Sequence, residues 1–412
     1  MVIKKVLAFA LLFSFIYQIS YVFLPFNMPF VLGFIGLPLY VYNSSAIRNK
    51  DRKYVEDILL ALLPVVIVAL LSIVGNHSSD FYFVKWAIIN VLYFFGAYFL
   101  FQLLKESFED FSFVRLVDLF ALCAVVQLSI SLVMYFSPEV KDVLQSVIHE
   151  SEIAKEAMER GTSRMIGFGT HFFLSGTVHA FILMMISFSF MYRKVSHLKS
   201  VVMILAYVYI AIVGTMMART TLIGVLFSIV IILSMRKGKS LFIIGLITSI
   251  ITIMSMFIFD SKNENLNVLI NFGFESFTNY QKTGIFSTQS TESMFSMYKF
   301  PSIWETWLWG DARYEAGRGY YMNTDIGYCR LIFYFGVIGF ITYMYFEYYI
   351  LKKIFPPRKY GHLTWSILLC FVFAINGKGT YDIFPYVCLF GFFIHSCSPR
   401  CNNIKGFLDS MN

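Results

Sequence analysis

Long apolar runs separated by short polar connections recur along the whole chain. An α-helix needs about 20 mostly apolar residues to cross a bilayer. The pattern predicts about twelve spans, at 6–24, 29–43, 58–75, 82–104, 116–137, 171–192, 200–217, 220–235, 241–259, 326–350, 363–376 and 384–397. Lys4 and Lys5 precede the first apolar run, and no small-x-small cleavage site follows it cleanly, which favours an uncleaved first span over a cleaved signal peptide.

Two polar segments are too long to be simple connections. The first, 138–170, contains EVKDVLQSVIHESEIAKEAMER, whose pattern predicts an amphipathic surface helix. The second covers residues 260–325. The interpretation is an all-α, polytopic protein with a single integral membrane domain over 1–412, and these two segments as its outward (periplasmic) loops.

Composition supports a membrane protein. Hydrophobic residues make up 58% of the chain and charged residues 14%, and the mean hydropathy is +0.68. These values lie outside the range of soluble globular proteins. The six cysteines form no CxxC pair, so we predict no disulfides and no zinc. No HExxH or DxD motif is present, so we predict no metal site, and we expect no cofactor.

Positive charge predicts the orientation. Lys and Arg concentrate in one set of short connections, RNKDRK (48–53), RKVSHLK (193–199), RKGK (236–239) and KKIFPPRK (352–359), and are nearly absent from the alternate set. Basic short loops face the cytoplasm. Both termini are therefore predicted to be cytoplasmic, and the net charge of +8 is explained without a nucleic-acid partner.

Six cations lie at the predicted outward ends of different helices: Arg164, Arg219, Arg313, Arg318, Arg330 and Lys378. If those helices bundle, the six side chains converge on one pocket, and arginine is suited to phosphate. The alternative is that each side chain extends to lipid head groups at a helix end. Arg219 favours function because it occupies a tight turn beside two threonines.

Carboxylates and aromatic residues accompany these cations. Asp325 precedes the tenth span and is a general base, a residue that holds an arginine in position, or a helix N-cap. Glu292 is either a capping residue or a catalytic acid. The aromatic stretch FPSIWETWLWGDARYEAGRGYY, which includes Tyr320, is either an interface belt or a sugar-stacking surface.

Three segments carry a resemblance to a known family. They are SRMIGFGTHFFLSG with Arg164, the turn MARTTLIG with Arg219, and WLWGDARYEAGRGYYMNTDIGYCRLIFYFGVIGF at the end of the second long segment. Together they resemble the Wzy-type O-antigen and capsular polysaccharide polymerases and the related O-antigen ligases. The resemblance covers most of the chain in topology and only these short segments in sequence.

The resemblance implies a fold similar to the C-type glycosyltransferases in the bacterial inner membrane. The implied substrate is an oligosaccharide on undecaprenyl diphosphate, and a chain-length regulator and a flippase are candidate partners. The implied diphosphate ligands are Arg219 and Arg164, with Arg313, Arg318, Lys378 and Tyr320 as further substrate contacts and Asp325 as the base.

One departure separates polymerase from ligase. Ligases of this family resemble one another in carrying a histidine near the end of the large loop, and 260–325 contains none. The polymerase is therefore the expected activity. The competing hypotheses are a ligase, a non-catalytic transporter or flippase, and a membrane sensor or structural protein.

Overall fold

The computed structural model describes residues 2–44, 49–149, 165–169, 172–190, 197–234, 264–316, 319–357, 362–379 and 383–396. The helices in these ranges are α1 (Val2–Ile16), α2 (Met28–Asn43), α3 (Asn49–Gly75), α4 (Tyr82–Ser107), α5 (Phe113–Phe136), α6 (Pro138–Gln145), α7 (Phe172–Ser189), α8 (His197–Met217), α9 (Thr221–Ser234), α10 (Glu264–Gly273), α11 (Glu275–Thr283), α12 (Gln289–Ser296), α13 (Trp304–Trp309), α14 (Gly327–Ile354), α15 (His362–Lys378) and α16 (Phe384–Ser396).

The helices follow the predicted spans. Eleven of the twelve predicted spans coincide with a helix, and the remaining one, 241–259, lies outside the described residues. Among the described residues, six helices are long and apolar enough to cross a membrane (α3, α4, α5, α7, α8 and α14), and α2, α9, α15 and α16 are shorter apolar helices. The chain is therefore an all-α, multi-pass membrane protein, while the count of about twelve spans stays a prediction.

Helix α3 begins at Asn49, well before the predicted span 58–75, and two further boundaries differ from prediction. Helix α1 ends at Ile16, well before residue 24, because Gln18 adopts a left-handed backbone with φ +48°. The amphipathic helix predicted in 138–170 is helical over Pro138–Gln145. Residues 146–149 are not helical, and the rest of the predicted helix, from residue 150, lies outside the described residues.

The chain forms two compact units, Met1–Val31 with Gln102–Ser287, and Leu32–Phe101 with Thr288–Asn412. We call them unit 1 and unit 2. Each is assembled from separate stretches of sequence, so neither is a sequence domain with its own termini. The prediction of a single membrane domain stays a prediction.

Unit 1 is organised around α7, which packs against α5, α8 and α9. Its 18-residue apolar window is 83% buried. The contact with α9 is close because Gly224 has no side chain: a Cβ there would lie 2.3 Å from the Cα of Ala180. A small residue at such a point lets two membrane helices approach backbone to backbone.

Unit 2 is organised around α14, which packs against α3, α13, α15 and α16. Helix α14 is broken at Gly336, whose φ of +66° and ψ of −169° are not helical. A Cβ at this residue would lie 2.2 Å from the carbonyl carbon of Leu308. Only glycine combines this backbone conformation with so close an approach.

The second long segment is folded rather than extended. Helices α10 and α11 belong to unit 1, and α12 and α13 belong to unit 2. After α13 the chain forms a two-stranded antiparallel hairpin, β1 (Glu315–Ala316) and β2 (Gly319–Tyr320), and then a 3₁₀ turn at Tyr321–Asn323. This hairpin brings aromatic side chains to the start of α14.

Candidate functional site

Unit 2 contains a buried arginine, Arg330, in the first turn of α14. Its side chain is only 6% exposed. The guanidinium carbon lies 3.8 Å from the ring centre of Tyr314 and 3.5 Å from that of Tyr320. Its Nε has no hydrogen-bond partner among the described residues. Buried polar groups normally have a partner, so this donor is available to an oxygen atom of a ligand or of water.

The two tyrosines are held in place by the hairpin and by α4. The hairpin pairs Glu315 with Tyr320. The ring of Tyr314 stacks on that of Tyr82, with centres 3.4 Å apart and an angle of 17° between the planes. The Tyr314 amide donates to Oδ2 of Asp80 at 2.6 Å. Oδ1 of Asp80 also accepts a hydrogen bond from the Tyr82 amide at 2.9 Å. One carboxylate therefore fixes the backbone of both Tyr82 and Tyr314.

The break in α14 anchors the chain just before the hairpin. The amides of Asp311 and Ala312 donate to the carbonyls of Phe333 and Tyr334, at 2.6 and 3.1 Å. The hydroxyl of Ser72 on α3 lies 2.8 Å from the carbonyls of Trp309 and Tyr334. The polar groups that a continuous helix would pair internally are therefore paired with a neighbouring segment, which fixes the hairpin relative to Arg330.

Asp325 lies beside this cluster. Its Oδ1 is 3.7 Å from Nη1 of Arg330, and its side chain is 59% exposed. Partial burial raises the pKa of Asp325, while the positive charges of Arg330 and Lys378 lower it, and the net direction is upward. The result is a solvent-accessible carboxylate that binds a proton more readily than an isolated aspartate.

The helix-cap interpretation of Asp325 is wrong. The N-cap of α14 is Ile326, and no side chain caps it. The neighbouring hydroxyl of Thr324 accepts from the Ile326 amide at 3.3 Å and donates to the carbonyl of Met297 at 2.6 Å. Glu292 lies in the first turn of α12, where the N-cap is Thr288 and accepts from the Thr291 amide.

Arg219 occupies the turn between α8 and α9 in unit 1. Its Nη2 forms an ion pair with Oε2 of Glu275, and its Nε donates to the carbonyl of Phe272 at 2.8 Å. The guanidinium carbon lies 4.4 Å from the centre of the Phe272 ring. Burial lowers the pKa of Arg219, and the charge of Glu275 raises it in part. Arg219 thus joins the α8–α9 turn to α10 and α11.

The remaining predicted site residues are distributed as follows. Arg164 and Arg318 lie outside the described residues. Arg313 is exposed, and its charge lowers the pKa of Tyr321, which burial and Asp311 raise. Lys378, half-buried at the end of α15, is near enough to Asp325 to lower its pKa. Unit 2 therefore brings together Asp325, Tyr320 and Lys378, and the convergence of all six cations stays a prediction.

Three residues of this cluster were not assigned a substrate contact from the sequence. Arg330 was predicted only as one of six converging cations, although its position within an apolar helix is itself a signal of function. Tyr314 lies in the aromatic stretch, but nothing in the sequence singles it out from its neighbours. Asp80 lies in the loop NHSSDF, which the sequence analysis used only as a short loop without Lys or Arg.

In the part of the chain that the structure describes, no group of three His, Cys, Asp or Glu side chains is arranged to hold a metal ion. No family model, curated protein or solved structure matches the chain. The function must therefore be argued from the chemistry of the site.

Proposed function

We propose that the chain is a glycosyltransferase of the bacterial inner membrane that polymerises oligosaccharide repeat units carried on undecaprenyl diphosphate. The observation that carries the proposal is the cluster of Arg330, Tyr314, Tyr320 and Asp325 at the start of a long apolar helix. It places a cation, flat aromatic surfaces and a carboxylate at one end of a membrane helix. With the basic loops in the cytoplasm, this end faces the periplasm, and both termini are cytoplasmic.

The reaction needs a group that stabilises the leaving diphosphate. Negative charge develops on this group as its bond to the sugar breaks, and preorganised cations lower the energy of that state. The unpartnered Nε of the buried Arg330 is a donor already desolvated and aimed by two rings. A guanidinium binds phosphate oxygens in a fixed, bidentate geometry. Lys378, close to Asp325, supplies a second charge.

The reaction also needs a base. An acceptor sugar hydroxyl attacks the anomeric carbon, a new C–O bond forms, and the bond from that carbon to the diphosphate oxygen breaks with its electron pair. The hydroxyl proton passes to Asp325, whose raised pKa brings it nearer to neutral pH than an ordinary aspartate. The half-buried ring of Tyr320 is suited to stack on a sugar ring, whereas Tyr314 is covered by Tyr82 on one face and by Arg330 on the other.

Arg219 is a weaker candidate than Arg330 for the contact with the diphosphate. Its guanidinium already binds Glu275 and the Phe272 carbonyl. A diphosphate that binds Arg219 through the same donors must displace Glu275 or the Phe272 carbonyl, whereas Arg330 needs no such exchange at its Nε. Arg330 is therefore the first candidate for the leaving-group contact, with Arg219, Arg164, Arg313 and Arg318 as further predicted contacts.

The test is genetic complementation read on a gel. Deletion of the gene should abolish the ladder of surface glycan and leave carriers capped with a single repeat. Wild-type protein should restore the ladder, and Arg330→Lys and Arg330→Gln should not. Arg52→Gln is the matched control, because Arg52 is also on a helix of unit 2 but is 62% exposed.

Other outcomes point elsewhere. Bare carriers with long glycan accumulating on lipid would indicate a ligase. An unchanged glycan profile after deletion would refute both glycosyltransferase hypotheses and favour a transporter or a sensor. Full restoration by both Arg330 variants would remove this residue from the site.

A further inference from the structure

A groove in unit 2 lies away from the Arg330 cluster, on the surface between α3 and α14. It is lined by Asp57, Leu60, Ala61, Pro64, Thr342, Tyr345, Phe346 and Tyr349, and its cavity volume is about 210 Å³. Each helix contributes residues over two turns, so the groove runs about 10 Å along the helix axes. Its wall is apolar except at the end that contains Asp57.

The surface around the groove is the kind that faces lipid. Only 33% of the 18-residue apolar window of α3 is buried, the lowest share among the six long apolar helices of the described chain. Leu60 and Tyr345 on the rim are 63% and 59% exposed. Such apolar exposure is stable in contact with acyl chains and unstable in water.

The polar end of the groove carries both signs of charge. Oδ2 of Asp57 lies 2.5 Å from Nζ of Lys353. The adjacent Lys352 is within 3.4 Å of the Tyr348 hydroxyl and 5.4 Å of its ring centre. These residues lie near the end of α14 and two turns inside α3. Tyrosines and lysines at such a level are typical of the boundary between acyl chains and head groups.

We propose that this groove binds a phospholipid whose headgroup contains both a phosphate and a primary ammonium, as in phosphatidylethanolamine. An acyl chain lies between Ala61 and Thr342, the ammonium contacts Asp57, and the phosphate contacts Lys352 and Lys353. The zwitterionic headgroup is favoured because its two charges match the Asp57–Lys353 ion pair in sign, with the ammonium against the carboxylate and the phosphate against the lysine. This site is independent of the glycosyltransferase proposal.

The experiment counts lipids that stay bound to the purified full-length protein. The protein is extracted in a mild detergent from membranes that contain phosphatidylethanolamine and phosphatidylglycerol, and intact complexes are examined by native mass spectrometry. The expected result is one retained phosphatidylethanolamine per chain. Ala61→Trp fills the groove and should reduce this retention at least about fivefold. Leu71→Trp, at a position 59% exposed on the same helix, should leave it unchanged.

A second variant separates lipid binding from damage to the fold. Asp57→Asn keeps the size of the side chain and removes its charge, so the ratio of phosphatidylethanolamine to phosphatidylglycerol retained should fall several-fold while a lipid stays bound. Equal retention in wild type, Ala61→Trp and Asp57→Asn would overturn the proposal. So would a preference of the wild type for phosphatidylglycerol, retention of a polyprenyl lipid instead, or a dimer that Ala61→Trp dissociates without loss of lipid.

Discussion

The break in α14 makes Gly336→Ala the most informative single substitution. Alanine must adopt φ +66° and ψ −169°, a region that is essentially restricted to glycine and costs a side-chain-bearing residue about 1–3 kcal/mol. Its Cβ would also lie 2.2 Å from the carbonyl carbon of Leu308 and 2.5 Å from the amide nitrogen of Trp309. Both atoms are backbone, so neither can rotate away.

The two effects add because they act on the same residue in different ways. Forcing a methyl group into a packed site typically costs a further 1–3 kcal/mol, which gives a total loss of about 2–6 kcal/mol. For a domain of 150–250 residues, 1 kcal/mol corresponds to a Tm change of about 2–4 °C. The variant should therefore melt at least about 4 °C below wild type in detergent micelles.

The matched control is Gly75→Ala in the same unit. A Cβ at Gly75, the last residue of α3, would meet no atom within 4 Å. This variant should change the unfolding free energy by less than about 0.5 kcal/mol. If Gly336→Ala melts with Gly75→Ala at the wild-type temperature, α14 is continuous in the membrane and the anchoring described for the hairpin is incorrect.

Three further substitutions test other contacts. Ser72→Ala removes the hydroxyl that lies against the carbonyls of Trp309 and Tyr334 and should lower the unfolding free energy by about 1–2 kcal/mol. Ser234→Ala, at an exposed helix end, is the control and should have little effect. Equal melting temperatures of the two variants would refute the role of Ser72. Glu275→Ala leaves the partly buried Arg219 without its carboxylate and should cost about 1.5–3 kcal/mol, against a negligible loss for the exposed Glu264→Ala in a chemical denaturation series. Lys378→Met removes a charge that lowers the pKa of Asp325, so this pKa should rise and the acid limb of the pH profile of the polymerisation rate should move to higher pH. Lys352→Met is the control and should not move the acid limb. An unmoved acid limb in Lys378→Met would exclude Asp325 as the base. The pKa of Asp325 is higher in the fold than in an unfolded chain, so this residue's contribution to stability is complete at low pH and is lost as the pH rises through the folded pKa.

Most of the helical architecture was predictable because it depends on local pattern. Apolar runs of about 20 residues predicted the ends of α3, α4, α5, α7, α8 and α14 to within a few residues, with one exception. Helix α3 begins much earlier than predicted, at Asn49. The end of α1 was not predictable in this way. Its sequence remains apolar beyond Ile16, and the helix ends through the backbone conformation of Gln18.

The residue types of the candidate site were predictable from the sequence, but the contacts between these residues were not. The cations and aromatic residues of the second long segment were visible in the sequence. The partner of Arg219 is Glu275, 56 residues later, and the carboxylate that fixes Tyr314 is Asp80, 234 residues earlier. Such pairs depend on how distant segments pack, and a single sequence holds no local signal for them.

The interrupted helix α14 also has a consequence for how the protein is made. Within hydrocarbon no water can hydrogen-bond a free carbonyl, and the groups that cover the break come from Ser72, Asp311 and Ala312. Ser72 precedes Tyr334 by 262 residues. A newly synthesised α14 is therefore incomplete as a span until α3 and the preceding segment have packed against it. Docking at this break is a late step of biogenesis, and a chain halted before it exposes uncovered backbone to the proteases that remove unassembled membrane proteins.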